Sequence, residues 1–180
     1  MLQITIKKTE LWDSRKQEFV EIDRDYTINL EHSLISLSKW ESIWKKPFLN
    51  NDNKTREEFI SYIKCMTLTQ NIPSIIYNAI DNDTINQVMK YIEDPMTATW
   101  FGQNNAPPSR KVLTSEVIYY WMVASKIPFN PCEKWHLNRL LTLIRVCSEY
   151  NNPKKIKGAD AAKSNAALNK ARRAKLHSNG

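Results

Sequence analysis

The chain has 180 residues and a formal net charge of +7, from 26 Lys and Arg against 19 Asp and Glu. Residues 153–180 contain eight basic residues and a single acidic one, Asp160, so this segment carries the whole net charge and residues 1–152 are neutral. Only three glycines occur, which excludes a Gly-rich phosphate-binding loop and disfavours an all-β protein with many tight turns. The neutral body and the basic C-terminal extension therefore call for separate functional arguments.

The cysteines and the distribution of apolar residues predict a soluble protein of a reducing compartment. Cys65, Cys132 and Cys147 are odd in number and far apart, which favours free thiols over a disulfide framework. The first residues lack the basic and apolar regions of a signal peptide, so secretion is not expected. No run approaches the length of about 18 to 20 apolar residues that a membrane span requires.

The first 30 residues have the pattern of β-strands. Leu2, Ile4 and Ile6 alternate with polar residues, and residues 19–22 and 26–30 form two further short apolar runs. Residues 12–16 are predicted to form a turn. We predict a small antiparallel sheet or meander over residues 1–32, packed on the body because three strands alone bury too little surface.

Helical spacing begins at Ser33. Leu34, Leu37, Trp40 and Trp44 fall on one face of a helix that Lys46-Pro47 ends.

Three further elements follow between residues 55 and 92. Thr55 and Glu58 have the spacing of a capping box at the start of a helix. Ile72-Pro73 opens a short helix that runs to Ile80. Asp83 or Thr84 is predicted to cap a helix whose apolar side comprises Ile85, Val88, Met89 and Ile92.

Two helices are predicted after the long irregular segment 95–111. The first runs from Thr114 to Lys126 with Val117, Ile118, Trp121 and Met122 buried, and the second from Glu133 to about Tyr150. Residues 128–131 are interpreted as a linker. The fold class is α+β and mainly α: a small N-terminal antiparallel sheet, a helical domain over 33–152 and a basic, Ala-rich C-terminal tail over 153–180.

Two groupings of reactive residue types have simpler structural explanations. Cys132 and His136 have a spacing that suits two metal ligands on one helix face, but no second pair accompanies them, so no metal is predicted. Glu31, His32 and Ser33 contain the residue types of a hydrolase, yet each also suits a helix N-terminus. We predict no catalytic residue, no cofactor and no enzymatic activity.

The candidate partner-binding residues are aromatic, sulfur-containing or cationic. Aromatic residues are mainly expected in the core, but the segment 96–101 is too apolar for a solvated loop, and aromatic residues are enriched at interfaces. Residues 153–180 are expected to be disordered until bound, with a basic helical face suited to acidic protein surfaces or phosphates. The candidates are Met96, Trp100, Phe101, Trp135, Lys163, Lys170, Arg172 and Arg173.

Several stretches together resemble the small tail assembly chaperones of long-tailed, siphovirus-type bacteriophages. They are LEHSLISLSKWE at 30–41, YIKCMT at 62–67, DPMTATW at 94–100 and KWHLNRLLTLIRVC at 134–147, with NAALNKARR at 165–173 in the tail. The resemblance runs over nearly the whole chain.

The resemblance implies a non-catalytic accessory protein that acts in the host cytoplasm. It would bind the tape measure protein, a very long helical polypeptide, and keep it soluble until tail tube protein polymerises around it, with self-association left open. A second hypothesis is a structural virion component of the neck, tail terminus or baseplate, whose basic tail is an assembly arm. A third is non-specific, salt-dependent nucleic-acid binding through the tail, which we favour less.

Overall fold

A computed structural model describes residues 1–13, 17–50, 54–99, 101, 112–151 and 166. The chain divides into two compact units, Met1–Val146 and Cys147–Gly180. In the second unit the described residues are the last turn of a helix, up to Asn151, and Ala166.

The N-terminal part contains four strands: β1 (Leu2–Ile6), β2 (Thr9–Asp13), β3 (Glu18–Ile22) and β4 (Tyr26–Leu30). The small antiparallel sheet followed by helices confirms the predicted fold class. The strand order is not a meander, however, because β1 pairs with β4 and β2 pairs with β3. Because β1 and β2 pair with different strands, the chain forms no hairpin between them at Lys7-Lys8, where no Gly, Pro or Asn favours a tight turn. Trp12, predicted in a turn, lies in β2.

The helices are α1 (Leu34–Trp44), α2 (Arg56–Met66), a 3₁₀ helix (Ser74–Ala79), α3 (Asn82–Glu93), α4 (Ser115–Ala124), α5 (Phe129–Cys132) and α6 (Leu137–Asn151). Ser33 caps α1, and Thr55 caps α2 through the predicted capping box with Glu58. The cap of α3 is Asp81, two residues earlier than predicted, and its carboxylate accepts from Thr84 N–H at 2.7 Å. The short helix α5 begins within the segment 128–131, which was interpreted as a linker, and ends one residue beyond it at Cys132.

The core joins the sheet to α1, α2 and the start of α6. Ile28 and Leu30 of β4 are fully buried, as are Leu34, Leu37 and Trp40 of α1. The chain after α2 pairs with the end of β4. Leu68 N–H donates to Asn29 O at 2.8 Å, and Glu31 N–H donates to Met66 O at 2.9 Å.

An aromatic cluster fills the space between α1 and α2. Phe48 stacks on Tyr62 with ring centroids 3.8 Å apart, and Trp40 meets Phe48 edge-on at 5.0 Å. The indole N–H of Trp40 donates to Glu58 O at 2.8 Å, so the buried indole has its hydrogen-bond partner. The prediction that most aromatic residues serve the core holds for these three.

Helix α6 begins at Leu137, four residues later than predicted. His136 forms an isolated antiparallel bridge with Ser33, and Leu137 N–H donates to His32 O at 2.7 Å. The residues before Leu137 are therefore committed to the junction between β4 and α1, which keeps them out of the helix. None of the helices in the described part of the chain is long and apolar enough to cross a membrane.

Candidate functional site

Of the predicted partner-binding residues, Met96, Phe101 and Trp135 lie in the described part of the chain. Met96 is 37% exposed and adopts a positive φ of 50°. Phe101 is half-buried beneath the guanidinium of Arg145, which lies 3.9 Å from the ring centroid. Trp135 is likewise half-buried, with the Arg139 guanidinium 4.4 Å from its ring. Arginine stacking covers both rings, so of the three Met96 is the most exposed to a partner.

The other predicted site residues are Trp100, Lys163, Lys170, Arg172 and Arg173. They lie outside the described residues, so their predicted roles stay predictions.

A large apolar surface lies instead on α4, where the sequence analysis predicted a buried side. Ile118 and Met122 are fully buried, but Trp121, predicted to be buried with them, is 37% exposed. Tyr120 is 67% exposed and Val123 62% exposed. Helix α4 is therefore apolar on its solvent side as well as its core side.

One face of α4 carries three exposed residues, Tyr120, Trp121 and Ala124, together with the half-buried Val117. Val117, Tyr120, Trp121 and Ala124 have the i, i+3, i+4, i+7 spacing of one helix face, and Val123 adjoins it. Phe129 of α5, 44% exposed, contacts Tyr119 edge-on with ring centroids 5.2 Å apart. We call Val117, Tyr120, Trp121, Val123 and Ala124 the α4 outer face. The hydrophobic sequence of α4 could not by itself reveal that neighbouring elements cover only one side of this helix.

A second apolar surface is a groove between α2 and α3, with a cavity volume of about 480 Å³. Ile85, Met89 and Ile92 of α3 line it at i, i+4, i+7 spacing. The predicted apolar side of α3 is therefore divided: Val88 is buried in the core, whereas Met89 is 44% exposed in the groove. The remaining lining residues are Phe48, Lys54, Thr55, Arg56, Phe59, Asn82 and Glu93. We call this the α2–α3 groove.

Cationic side chains stand beside the apolar lining of the groove. The Lys54 ammonium lies 4.4 Å from the centroid of the Phe48 ring. Arg56 donates to Asn82 Oδ1 at 2.9 Å and to the carbonyl oxygen of Ile80, which fixes the guanidinium at the groove. The groove thus combines an apolar lining with two cations, Lys54 and Arg56, and one carboxylate, Glu93.

A third exposed apolar feature is an aromatic pair on the β2–β3 hairpin. Trp12 and Phe19 are cross-strand partners whose rings meet edge-on at 5.1 Å. They are 52% and 70% exposed, respectively.

Glu31, His32 and Ser33, weighed above as a catalytic grouping, belong to a buried polar network. His32 Nδ1 lies 2.6 Å from the Tyr62 hydroxyl, and its ring meets that of His136 edge-on at 5.1 Å. The Tyr91 hydroxyl donates to Glu31 Oε1 at 2.6 Å, and Glu31 Oε2 pairs with the N-terminal ammonium at 3.0 Å.

The hydrogen bonds of His136 define its protonation state. Its Nε2 lies 3.0 Å from Tyr91 O, a carbonyl that only accepts, and its Nδ1 lies 3.3 Å from the Asn138 N–H, which only donates. His136 is therefore a neutral imidazole protonated at Nε2. Burial lowers its pKa.

Burial and the neighbouring His136 together lower the pKa of His32 to about 3. Burial, followed by the hydrogen bond to Glu31, raises the pKa of Tyr91. Glu31, His32 and Tyr91 thus serve to connect β4, α2, α3 and the start of α6, and neither histidine lines the α2–α3 groove.

The Cys132 and His136 pair does not belong to a larger ligand set in the described residues. Both side chains are buried, and no group of three or more His, Cys, Asp or Glu residues in the described ranges could hold a metal ion.

No protein-family profile, no curated protein and no solved structure matches the chain.

Proposed function

We propose that the chain is a non-catalytic tail assembly chaperone of a long-tailed bacteriophage. It binds the tape measure protein in the host cytoplasm and keeps it soluble until tail tube protein assembles around it. The observation that carries this proposal is the α4 outer face, an aromatic helical surface that the described fold leaves exposed to solvent. The resemblance of several sequence stretches to such chaperones is the reason for proposing the tape measure protein as the client.

The α4 outer face suits a helical client for a physical reason. A long amphipathic helix isolated from its assembly exposes an apolar stripe, and covering that stripe requires a complementary apolar surface. Tyr120 and Trp121 supply rigid aromatic contacts of the kind that dominate interface energetics. Val117 and Ala124 extend the same face along the helix axis, which allows ridges of the client to pack along α4.

The test is co-expression of the full chain with the tape measure protein of the same phage, followed by measurement of the client's soluble fraction and its co-purification. We expect the wild-type chain to retain the client in solution and the variant Tyr120→Ser/Trp121→Ser to lose it. The control is Ile43→Ser on α1, an aliphatic residue that is 62% exposed and lies outside the α4 outer face. Undiminished capture by the α4 variant would overturn the assignment of the client to this face.

The second candidate, a structural virion component, is favoured by the +7 charge of residues 153–180. A basic arm of this kind could anchor the chain to an acidic neighbour in the tail. Mass spectrometry of purified virions distinguishes the two functions: a chaperone is absent from the particle, whereas a structural component is present at stoichiometric level. Non-specific nucleic-acid binding would instead appear as affinity that falls steeply with salt and is lost on deletion of 153–180.

A further inference from the structure

We infer that the β2–β3 hairpin of one copy docks into the α2–α3 groove of a second copy, so that the chain self-associates head to tail. This inference goes beyond the proposed function and does not rest on it. It concerns different surfaces from the α4 outer face and requires no client.

The hairpin presents an apolar pair and an acidic pair on the same face. Trp12 and Phe19 oppose each other, and two positions further from the tip Glu10 opposes Glu21 in the same register. Side chains two residues apart on a strand share a face, so all four project from one side of the hairpin. We call these four residues the hairpin outer face.

The opposite face of the hairpin is the one turned towards the protein. Leu11 and Val20 are half-buried there and Ile22 is buried, while β2 lies against the 3₁₀ helix. The hairpin outer face is consequently directed to solvent. Its two carboxylates stand directly opposite each other, an arrangement that is destabilising unless a cation offsets it.

The α2–α3 groove has the complementary properties. Its apolar lining includes Phe59, Ile85 and Met89, and its volume of about 480 Å³ lies in the range of small-ligand pockets. Lys54 and Arg56 line the groove with a single carboxylate, Glu93, so the charged part of its lining has a formal excess of one positive charge. The charged residues of the hairpin outer face, Glu10 and Glu21, are both negative. Docking would bury the rings of Trp12 and Phe19 in the groove and bring Lys54 and Arg56 close to Glu10 and Glu21. Both the apolar and the charged contacts would therefore favour the complex.

The occupant assigned by this complementarity is a second copy, because the acidic aromatic face and the basic apolar groove are both present on one chain. The two surfaces differ, so the contact is heterologous. Repetition of a heterologous contact closes into a ring when the rotation permits and otherwise forms an open chain.

The experiment is sedimentation velocity on the nuclease-treated full chain over a wide range of concentration, with two charge-reversed variants. Glu10→Lys/Glu21→Lys places a basic hairpin opposite a basic groove. Lys54→Glu/Arg56→Glu places an acidic groove opposite an acidic hairpin. Each variant alone is expected to be monomeric, but mixing them restores opposite charges at every contact and should restore association.

Two further variants separate docking from folding. Trp12→Ser/Phe19→Ser alters only exposed side chains and is expected to weaken association at least about tenfold, since aromatic anchors carry much of the energy of an interface. Ile43→Ala and Lys39→Glu on α1 are the matched controls and should associate as the wild type does. Circular dichroism establishes that each variant is folded.

Recovery of association on mixing, together with its loss in each variant alone, supports head-to-tail docking. A wild-type chain that is monomeric at every concentration overturns it, as does association that survives both charge reversals. Capture of the tape measure protein that is abolished by Lys54→Glu/Arg56→Glu, with a monomeric wild type, would also overturn it and assign the groove to the client.

Discussion

The imidazole rings of His32 and His136 meet edge-on in the interior, with their centroids 5.1 Å apart. One belongs to the turn between β4 and α1 and the other to the residues that precede α6, segments more than a hundred positions apart. The bridge between Ser33 and His136 and the bond from Leu137 N–H to His32 O join the same two segments through the backbone. A charge on either ring would therefore disturb the junction that attaches α6 to the sheet.

This pairing makes the stability of the fold dependent on pH below neutrality. The pKa of His32 is lowered to about 3 and that of His136 is also lowered, whereas the pKa of histidine in an unfolded chain is about 6.5. As the pH falls through about 6.5, the unfolded state binds protons that the folded state excludes, so the free energy of unfolding decreases. The stabilisation is complete above about pH 7 and is lost progressively toward pH 3.

We expect His32 alone to lower the free energy of unfolding by roughly 2 kcal/mol between about pH 7 and pH 5. Urea titration at several pH values in this window measures the slope before most carboxylates titrate. His32→Gln removes the titrating group, so its slope should be shallower than that of the wild type even if its stability at pH 7 is lower. Equal stability of the wild type at pH 7 and pH 5 would contradict the prediction.

The second prediction concerns Glu41, a buried carboxylate of α1 that joins two distant segments. Its Oε1 accepts from Phe48 N–H at 3.1 Å and its Oε2 from Ser115 N–H, at the start of α4, at 2.8 Å. Glu41→Ala leaves two buried amide donors without their acceptors, so we expect a loss of roughly 2 to 4 kcal/mol in the free energy of unfolding. Glu41→Gln retains one amide oxygen and should lose less. Denaturant unfolding measures the free energies of unfolding of the wild type and the two variants. A Glu41→Ala variant as stable as Glu41→Gln would contradict the role assigned to the carboxylate.

The third prediction concerns the cap of α2. Thr55 Oγ1 accepts from Glu58 N–H at 3.2 Å, and Glu58 Oε2 accepts from Thr55 N–H at 2.9 Å. Thr55→Ala removes the first bond and should cost about 1 kcal/mol, whereas Thr55→Ser keeps the hydroxyl and should remain close to the wild type. Thermal unfolding followed by circular dichroism measures both. A Ser variant as unstable as the Ala variant would indicate packing of the threonine methyl in place of capping.

The elements that local chemistry determines could be predicted from the sequence. The capping box at Thr55, the end of α1 near Lys46-Pro47 and the alternation in β1 depend on neighbouring residues, and each appears at or close to its predicted place. The strand order and the start of α6 could not be predicted, because both depend on contacts between distant segments. The bridge between Ser33 and His136 is the clearest example, since 103 positions separate its two residues.

The candidate surfaces, too, could be predicted from the sequence only in part. Hydrophobic spacing identified α3 and α4 as amphipathic helices but could not indicate which apolar residues a neighbouring element would cover. Trp121 was predicted to be buried with Met122, yet it is exposed because the buried side of α4 comprises Ser115, Ile118 and Met122. The ring of Phe101 is covered by Arg145, 44 positions away, and spacing could not identify this contact. The contact of Trp135 with Arg139 is different, because i, i+4 spacing in the predicted helix already makes these two residues neighbours.

The fourth prediction tests the two sides of α4 directly. Met122 is fully buried, so Met122→Ala should lower the free energy of unfolding by roughly 2 to 5 kcal/mol. Tyr120 and Val123 are 67% and 62% exposed, so Tyr120→Ala and Val123→Ala should each change it by no more than about 0.5 kcal/mol. Urea unfolding of the three variants measures these values under one condition. A large loss of stability for Tyr120→Ala would show that the α4 outer face is needed by the fold itself, and the exposed tyrosine would then no longer support a surface reserved for a partner.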